Sequence, residues 1–187
     1  MKAKMKSNDF NRLVSATRSF TAKPDSTRPQ YTFIRLEFMS TAQIVTAISV
    51  DGYRMAVEHA PCSCDEDFIA YIKGSVKLPR SGETVIEVHD QETIIRHDQS
   101  IWGFRHPNGE FLNWSAALPG PPAFRIAFNV NYLLDAVKAA KASKFDCSAP
   151  VILEFRSPME PVIIRTNRTD VKMVLPVRIK DQPKEDS

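Results

Sequence analysis

Ala47-Ile48-Ser49-Val50-Asp51-Gly52-Tyr53-Arg54-Met55-Ala56 is the stretch from which the fold is read. Aliphatic and β-branched residues lead into Asp51-Gly52. That pair suits a tight turn, because glycine tolerates left-handed backbone and an Asp carboxylate can bond the amides ahead of it. The chain leaves through further strand-forming residues, so the stretch reads as strand, turn, strand. Working outward, residues 31–39 and 44–50 read as strands joined at 40–42, and residues 54–59 as the strand after the turn. Upstream, Phe10, Leu13, Val14, Thr17 and Phe20 recur at near-helical spacing behind the capping candidates Ser7, Asn8 and Asp9. This predicts an amphipathic helix over residues 9–22, ended by Pro24 and Asp25-Ser26.

Downstream, residues 68–72 read as a strand, whereas residues 73–82 contain Gly74, Pro79 and Gly82 and leave little room for a helix. Strands follow at 84–88, 93–96 and 101–104, linked by His89-Asp90-Gln91 and His97-Asp98-Gln99. The repeated tripeptide invites a catalytic or metal reading. Recurrence at successive strand ends is instead what a β-meander produces, with Asp supplying turn chemistry. After Pro119-Gly120-Pro121-Pro122 the pattern restarts with a strand at 124–128. Asn129 then caps a helix carrying Leu133, Leu134, Val137 and Ala140 on one face, and strands follow at 151–155, 162–165 and 171–175. The expected fold class is α+β with antiparallel sheets, built from three repeated β-α-β-β-β units of which the middle one has a degraded helix.

The chain has 187 residues, 43% of them hydrophobic, enough for one large domain or two small ones at roughly 100–200 residues each. No apolar run approaches the ~18 residues of a membrane span. The basic start, Met1-Lys2-Ala3-Lys4-Met5-Lys6, leads into a polar, helix-like stretch without the apolar core of a secretory signal, which points to a cytoplasmic protein. The net charge of +3 divides as +4 over residues 1–60, −4 over 61–119 and +3 over 120–187, so two basic segments flank an acidic one. Cys62, Cys64 and Cys147 are odd in number, and reduced thiols are expected. His59 beside Cys62 and Cys64 is a candidate metal cluster. No second His or Cys cluster completes four ligands, and a plain loop is the alternative. Phosphate loops, nucleophile elbows and zinc-protease motifs are all missing, so neither catalysis nor a cofactor is expected.

Three stretches together resemble the bacterial sliding clamp, the beta subunit of DNA polymerase III. The opening stretch is similar to that family's A-T-D-G-H-R-L-A strand-turn-strand. Gly109-Glu110-Phe111-Leu112-Asn113-Trp114, with Leu118-Pro119, resembles its G-x-F/Y-P-D-Y and trailing proline. Phe128-Asn129-Val130-Asn131-Tyr132-Leu133-Leu134-Asp135-Ala136-Val137, with Val174-Leu175-Pro176-Val177-Arg178-Ile179, resembles its F-N-x-x-Y-L-L-D-x-L helix and closing V-M-P-M-R-L. By this resemblance residues 1–119 correspond to the family's middle domain and 120–179 to the end of its last, leaving 180–187 as a polar tail. The chain would then be a shortened, clamp-like member.

The resemblance implies a non-catalytic scaffold and processivity factor in DNA replication or repair. Such a scaffold binds short peptide motifs of polymerases and related proteins and encircles double-stranded DNA as an oligomer. The implied peptide groove comprises Val50, Gly52, Tyr53, Arg54, Met55, Leu112, Ala117, Leu175, Pro176, Val177 and Arg178. Their apolar members suit a Leu or Phe anchor, with Tyr53 and Arg54 as a rim. The alternative is that Met55, Leu175 and Val177 are strand core. The implied DNA-facing residues are Lys138, Lys141 and Lys144 on the last helix and Arg12, Arg18 and Lys23 on the first, suited to sequence-independent phosphate contact. A solvated helix face is the alternative. Two chains of three units fall short of a family ring. Four supply its number of units, with gaps where residues 73–80 lack a helix. Two further readings compete: a free-standing groove module that competes with or docks on a clamp, and a nucleic-acid-binding protein without a ring. The polar tail follows a groove-lining strand and is expected to shield it.

Overall fold

The computed structural model describes residues 1–143, 150–166 and 170–179. The chain divides into two compact units, Met1–Leu118 and Pro119–Ser187.

The first unit begins with strand β1 (Lys2–Lys6), directly followed by helix α1 (Ser7–Thr17) and a 3-10 turn at Arg18–Phe20. Strands β2 (Ile34–Met39), β3 (Ile44–Val50) and β4 (Met55–Pro61) complete one β-α-β-β-β motif. A short β5 (Ser63–Cys64) precedes the second motif. That motif consists of β6 (Phe68–Ile72), an irregular segment at 73–82, and β7 (Glu83–His89), β8 (Glu92–His97) and β9 (Ser100–Arg105). The strands form two antiparallel sheets, β4-β3-β2-β6 and β5-β1-β7-β8-β9. The two motifs therefore exchange first strands: β1 pairs with β7, and β6 pairs with β2.

One core fills the space between the sheets and α1. Phe10, Leu13 and Val14 of α1 are buried with Ala3, Met5, Leu36, Phe38, Ile86 and Ile95. The irregular segment takes part as well. Val76 and Leu78 are buried, and the Asn11 side chain bonds both the amide and the carbonyl of Leu78, at 3.0 and 2.9 Å. Buried backbone polar groups need partners, and here a side chain supplies what a helix would have supplied internally.

The local sequence misleads at several points. Residues 2–6 are a strand, and α1 starts at Ser7 with no side-chain cap. Ser7 is buried inside the fold, its hydroxyl 2.8 Å from Thr84 Oγ1 and 3.0 Å from His97 Nδ1. The helix stops at Thr17 rather than 22, and residues 29–32 form a 3-10 turn rather than the start of β2. A proline opens that turn, with its fixed φ suited to a helical first position. Asp90 and Asp98 do sit at turns, each with a positive φ.

The second unit contains α2 (Val130–Ala142) and the sheet β10-β11-β12, with strands Ile152–Glu154, Val162–Arg165 and Lys172–Val174. Asn129 caps α2 by accepting from the amides of Asn131 and Tyr132 at 3.0 and 3.4 Å. Residues 124–128 are not a full strand; they make one antiparallel bridge, Ala127 with Val177. Among the described residues the buried core of this unit is Ala140, Val162, Ile164 and Val174. The tail from residue 180, Lys144 and Cys147 lie outside the described residues.

Candidate functional site

The turn that opened the sequence reading is braced from within. The Asp51 carboxylate accepts from the amides of Tyr53 and Arg54 at 3.0 and 3.1 Å, and from Arg54 Nε at 2.8 Å. The Arg54 side chain first, and then the Tyr53 amide, hold the Asp51 carboxyl below its ordinary pKa. Gly52 has φ +96° with nothing within 4 Å of where a Cβ would stand, so backbone conformation, not crowding, calls for glycine. The Arg54 guanidinium also lies 5.2 Å from the centre of the Phe20 ring. These restraints leave Tyr53 at the tip, 99% exposed.

Below the turn, Val50 and Met55 join Tyr31, Ile48 and Phe111 in a second apolar cluster, flanked by half-buried Leu112, Tyr71 and Trp114. Tyr31 and Phe111 meet edge to face at 5.4 Å. Trp114 Nε1 donates to Glu37 at 3.2 Å, and Arg35 pairs with Glu37 at 2.8 Å while lying over the Phe111 ring. A hollow of about 450 Å³ runs along Arg35, Glu37, Phe111, Leu112 and Trp114. The structure thus brings Val50, Met55 and Leu112 together. Ala117 lies outside the cluster, exposed, its amide donating to the carbonyls of Asn113 and Trp114.

In the second unit Leu175, Val177 and Arg178 are exposed and Pro176 is half-buried. The Val177 amide donates to the Ala127 carbonyl at 2.8 Å. Val177 and Arg178 border a hollow of about 340 Å³ with Arg125, Ile126 and Met159. Leu175 and Val177 are therefore not core residues of this unit, while Met55 belongs to the half-buried edge of the second cluster.

The basic positions divide. Arg12 is committed, its guanidinium bonding Glu58 at 3.1 Å and the His59 carbonyl at 2.6 Å. Exposed Arg18, Lys77 and Arg80 border a depression of about 380 Å³ between α1 and residues 76–80. Lys77 and Arg80 were missed because their segment reads only as a broken helix, although charge alternates there with the buried Val76 and Leu78. Lys23 lies beyond the 3-10 turn rather than on α1, and Lys138 and Lys141 are exposed on α2. Among the described residues no three His, Cys, Asp or Glu side chains gather as metal ligands. His59 Nδ1 lies 3.0 Å from Thr46 Oγ1. Burial, then the neighbouring Cys64, pushes the Cys62 thiol up to about 12, and burial raises Cys64 too, so both stay protonated at neutral pH.

Solved structures share this architecture. The DNA polymerase sliding clamp of Bacillus subtilis superposes with a TM-score of 0.84 at 14% identity, over 97% of this chain and 50% of the clamp. The chain carries the sliding-clamp fold. The clamp of Pseudomonas aeruginosa gives 0.83 at 13% identity, over 94% of this chain and 51% of that one. The DNA polymerase III beta subunit of Thermotoga maritima gives 0.75 at 12%, over 94% and 50%. This chain thus spans about half the length of the clamps it matches. No family model and no curated protein sequence matches it. Likeness at this identity is a likeness of backbone. No helix among the described residues is long and apolar enough to cross a membrane.

Proposed function

We propose that the chain is a non-catalytic, clamp-like scaffold of DNA replication or repair that takes short peptide motifs on the positions named from the sequence. The observation that carries this reading is Tyr53, fully exposed on a turn braced by Asp51, in the hairpin whose Val50 and Met55 join the apolar cluster that Leu112 and Trp114 flank. An aromatic side chain held out to solvent at the cost of its own burial suits an anchor for a partner, since Tyr is enriched at binding hot spots. In the second unit, exposed Leu175 and Val177 offer the same kind of apolar chemistry that a Leu or Phe side chain of a peptide would seek. The test is fluorescence anisotropy with a labelled clamp-binding peptide. Replacing Tyr53 with Ala, or Pro176 with Ala, weakens binding by ~2 kcal/mol, about thirtyfold, if these are anchors. Unchanged affinity in both variants refutes the reading.

A second reading, contact with DNA, is favoured by Arg18, Lys77 and Arg80 gathering around one depression, and by the exposure of Lys138 and Lys141 on α2. Phosphate contact of this kind gives affinity that falls steeply with salt and ignores sequence. Retention on circular but not linear duplex DNA distinguishes encirclement from a basic surface. Salt-dependent binding equal on both forms supports the surface alone.

A further inference from the structure

Ile163-Ile164-Arg165 in the second unit repeats Ile94-Ile95-Arg96 in the first, and the strands opposite match as well. In the first unit Val85, Ile86 and Glu87 of β7 face Arg96, Ile95 and Ile94 of β8. In the second, Ile152, Leu153 and Glu154 of β10 face Arg165, Ile164 and Ile163 of β11. Both hairpins carry the same ion pair, Arg96 to Glu87 at 3.1 Å and Arg165 to Glu154 at 3.4 Å. β10 is the counterpart of β7.

The two strands differ at their other edge. β7 is covered by β1, with Ala3 opposite Ile86 and Lys2 opposite Glu87. Lys2 Nζ adds a second ion pair to Glu87 at 3.1 Å. Under that cover Ile86 and Val88 are 0% and 3% exposed, whereas Leu153 and Phe155, at the matching positions, are 46% and 44% exposed. β10 ends its sheet. An apolar edge strand left open is a template for pairing with another strand.

The strand that would cover β10 has a counterpart in the chain. Residues 124–128 immediately precede α2 and its cap, as β1 precedes α1. Ala127 bridges Val177 as Lys4 pairs with Ser63. Counting back from each helix sets Ile126 at the position of Ala3 and Arg125 at that of Lys2. Arg125 is exposed, and Glu154 has a single ion pair among the described residues where Glu87 has pairs with both Arg96 and Lys2. In the first unit such strands always cross between motifs, β1 to β7 and β6 to β2.

We infer that two copies of this chain complete each other's second unit. Residues 124–128 of each copy add antiparallel to β10 of the other across a two-fold axis. A second copy is the occupant that charge and register select. Arg125 of one copy meets Glu154 of the other as Lys2 meets Glu87, and Ile126 meets Leu153 as Ala3 meets Ile86. The reciprocal exchange is self-complementary, as a two-fold interface requires. This interface goes beyond the peptide-binding reading and does not depend on it.

Molar mass of the full chain, measured by light scattering from low to high micromolar concentration, tests the inference. The expected result is a dimer. Arg125→Glu sets a second carboxylate against Glu154 in both contacts and raises the dissociation constant by about tenfold or more. Glu154→Arg does the same with the opposite charge. Mixing the two single variants restores both pairs, so the mixture dimerises more tightly than either variant alone. Misfolded chains would not rescue each other, which separates interface loss from unfolding. Three results would overturn the inference. One is a chain that stays monomeric throughout, its β10 edge then belonging to some other partner. Another is a dimer indifferent to Arg125→Glu, and the third is a mixture no tighter than either variant alone.

Discussion

The two units are built from the same strand-helix-strand motif and differ in whether its edges are covered. In the first unit two motifs trade first strands, and the shared interior holds Ile86, Val88, Ile95, Phe10 and Leu13 almost free of solvent. In the second, a single motif retains the hairpin and its ion pair while Leu153 and Phe155 stand half in water. Matching positions thus differ in burial where one has a covering strand and the other has none among the described residues. The motif by itself makes a small core of Ala140, Val162, Ile164 and Val174; in the first unit the exchanged strand also covers β7.

The sharpest way to break this comparison is to truncate equivalent residues. Ile86→Ala should cost about 2–5 kcal/mol, the range for a large aliphatic side chain removed from a closed core. Leu153→Ala, placed in the Arg125→Glu background, should cost ~1 kcal/mol or less, because half its surface is already wet. Urea unfolding followed by hydrogen exchange of each unit reads both numbers, and equal costs would refute the contrast. A smaller effect belongs to the ion pairs. Glu87→Gln loses the Arg96 and Lys2 partners and should cost about 1 kcal/mol, whereas Glu154→Gln should cost less, both in the range of exposed pairs.

Acid titration sharpens the same point. Arg96 first, then Lys2, lower the Glu87 pKa in the folded chain. Its contribution to stability is therefore complete above the ordinary carboxylate value and is lost as pH falls through the lowered one. Wild type should lose stability over that interval, and Glu87→Gln should show a flatter profile when melting temperature is followed against pH. An effect as small as that of the ion pairs is expected at the turn. Gly52→Ala should cost about 1 kcal/mol by forcing a side chain into left-handed backbone, without touching either core.

Much of this was legible in the sequence because it is local. Runs of β-branched, aliphatic and aromatic residues marked β3, β6 and β11 closely, and Asn129 announced the start of α2. β1 was missed although Lys2-Ala3-Lys4-Met5-Lys6 alternates with strand period. Two apolar residues among three lysines gain their meaning only from β7, far along the chain. The opposite error fell on residues 124–128, which read as a strand and make, among the described residues, a single bridge. At the candidate site, the turn chemistry of Asp51-Gly52 was plain. Trp114 and Phe111 arrive from a distant loop, and Arg12 is drawn away to Glu58 by tertiary packing, so neither could be read locally.

The strand exchange also sets the order in which the first unit can be assembled during synthesis. β1 is made well before its sheet partner β7, which begins only at Glu83, and the Met1 carbonyl accepts from the amide of Val88 at 3.0 Å. Until that residue has left the ribosome, Ala3 and Met5 lack the longer of the two strands that flank β1 in its sheet. Non-local pairings of this kind slow folding and leave apolar strands exposed while they wait. The three lysines on the opposite face of β1 keep that waiting strand charged, which discourages it from pairing with its neighbours on other nascent chains.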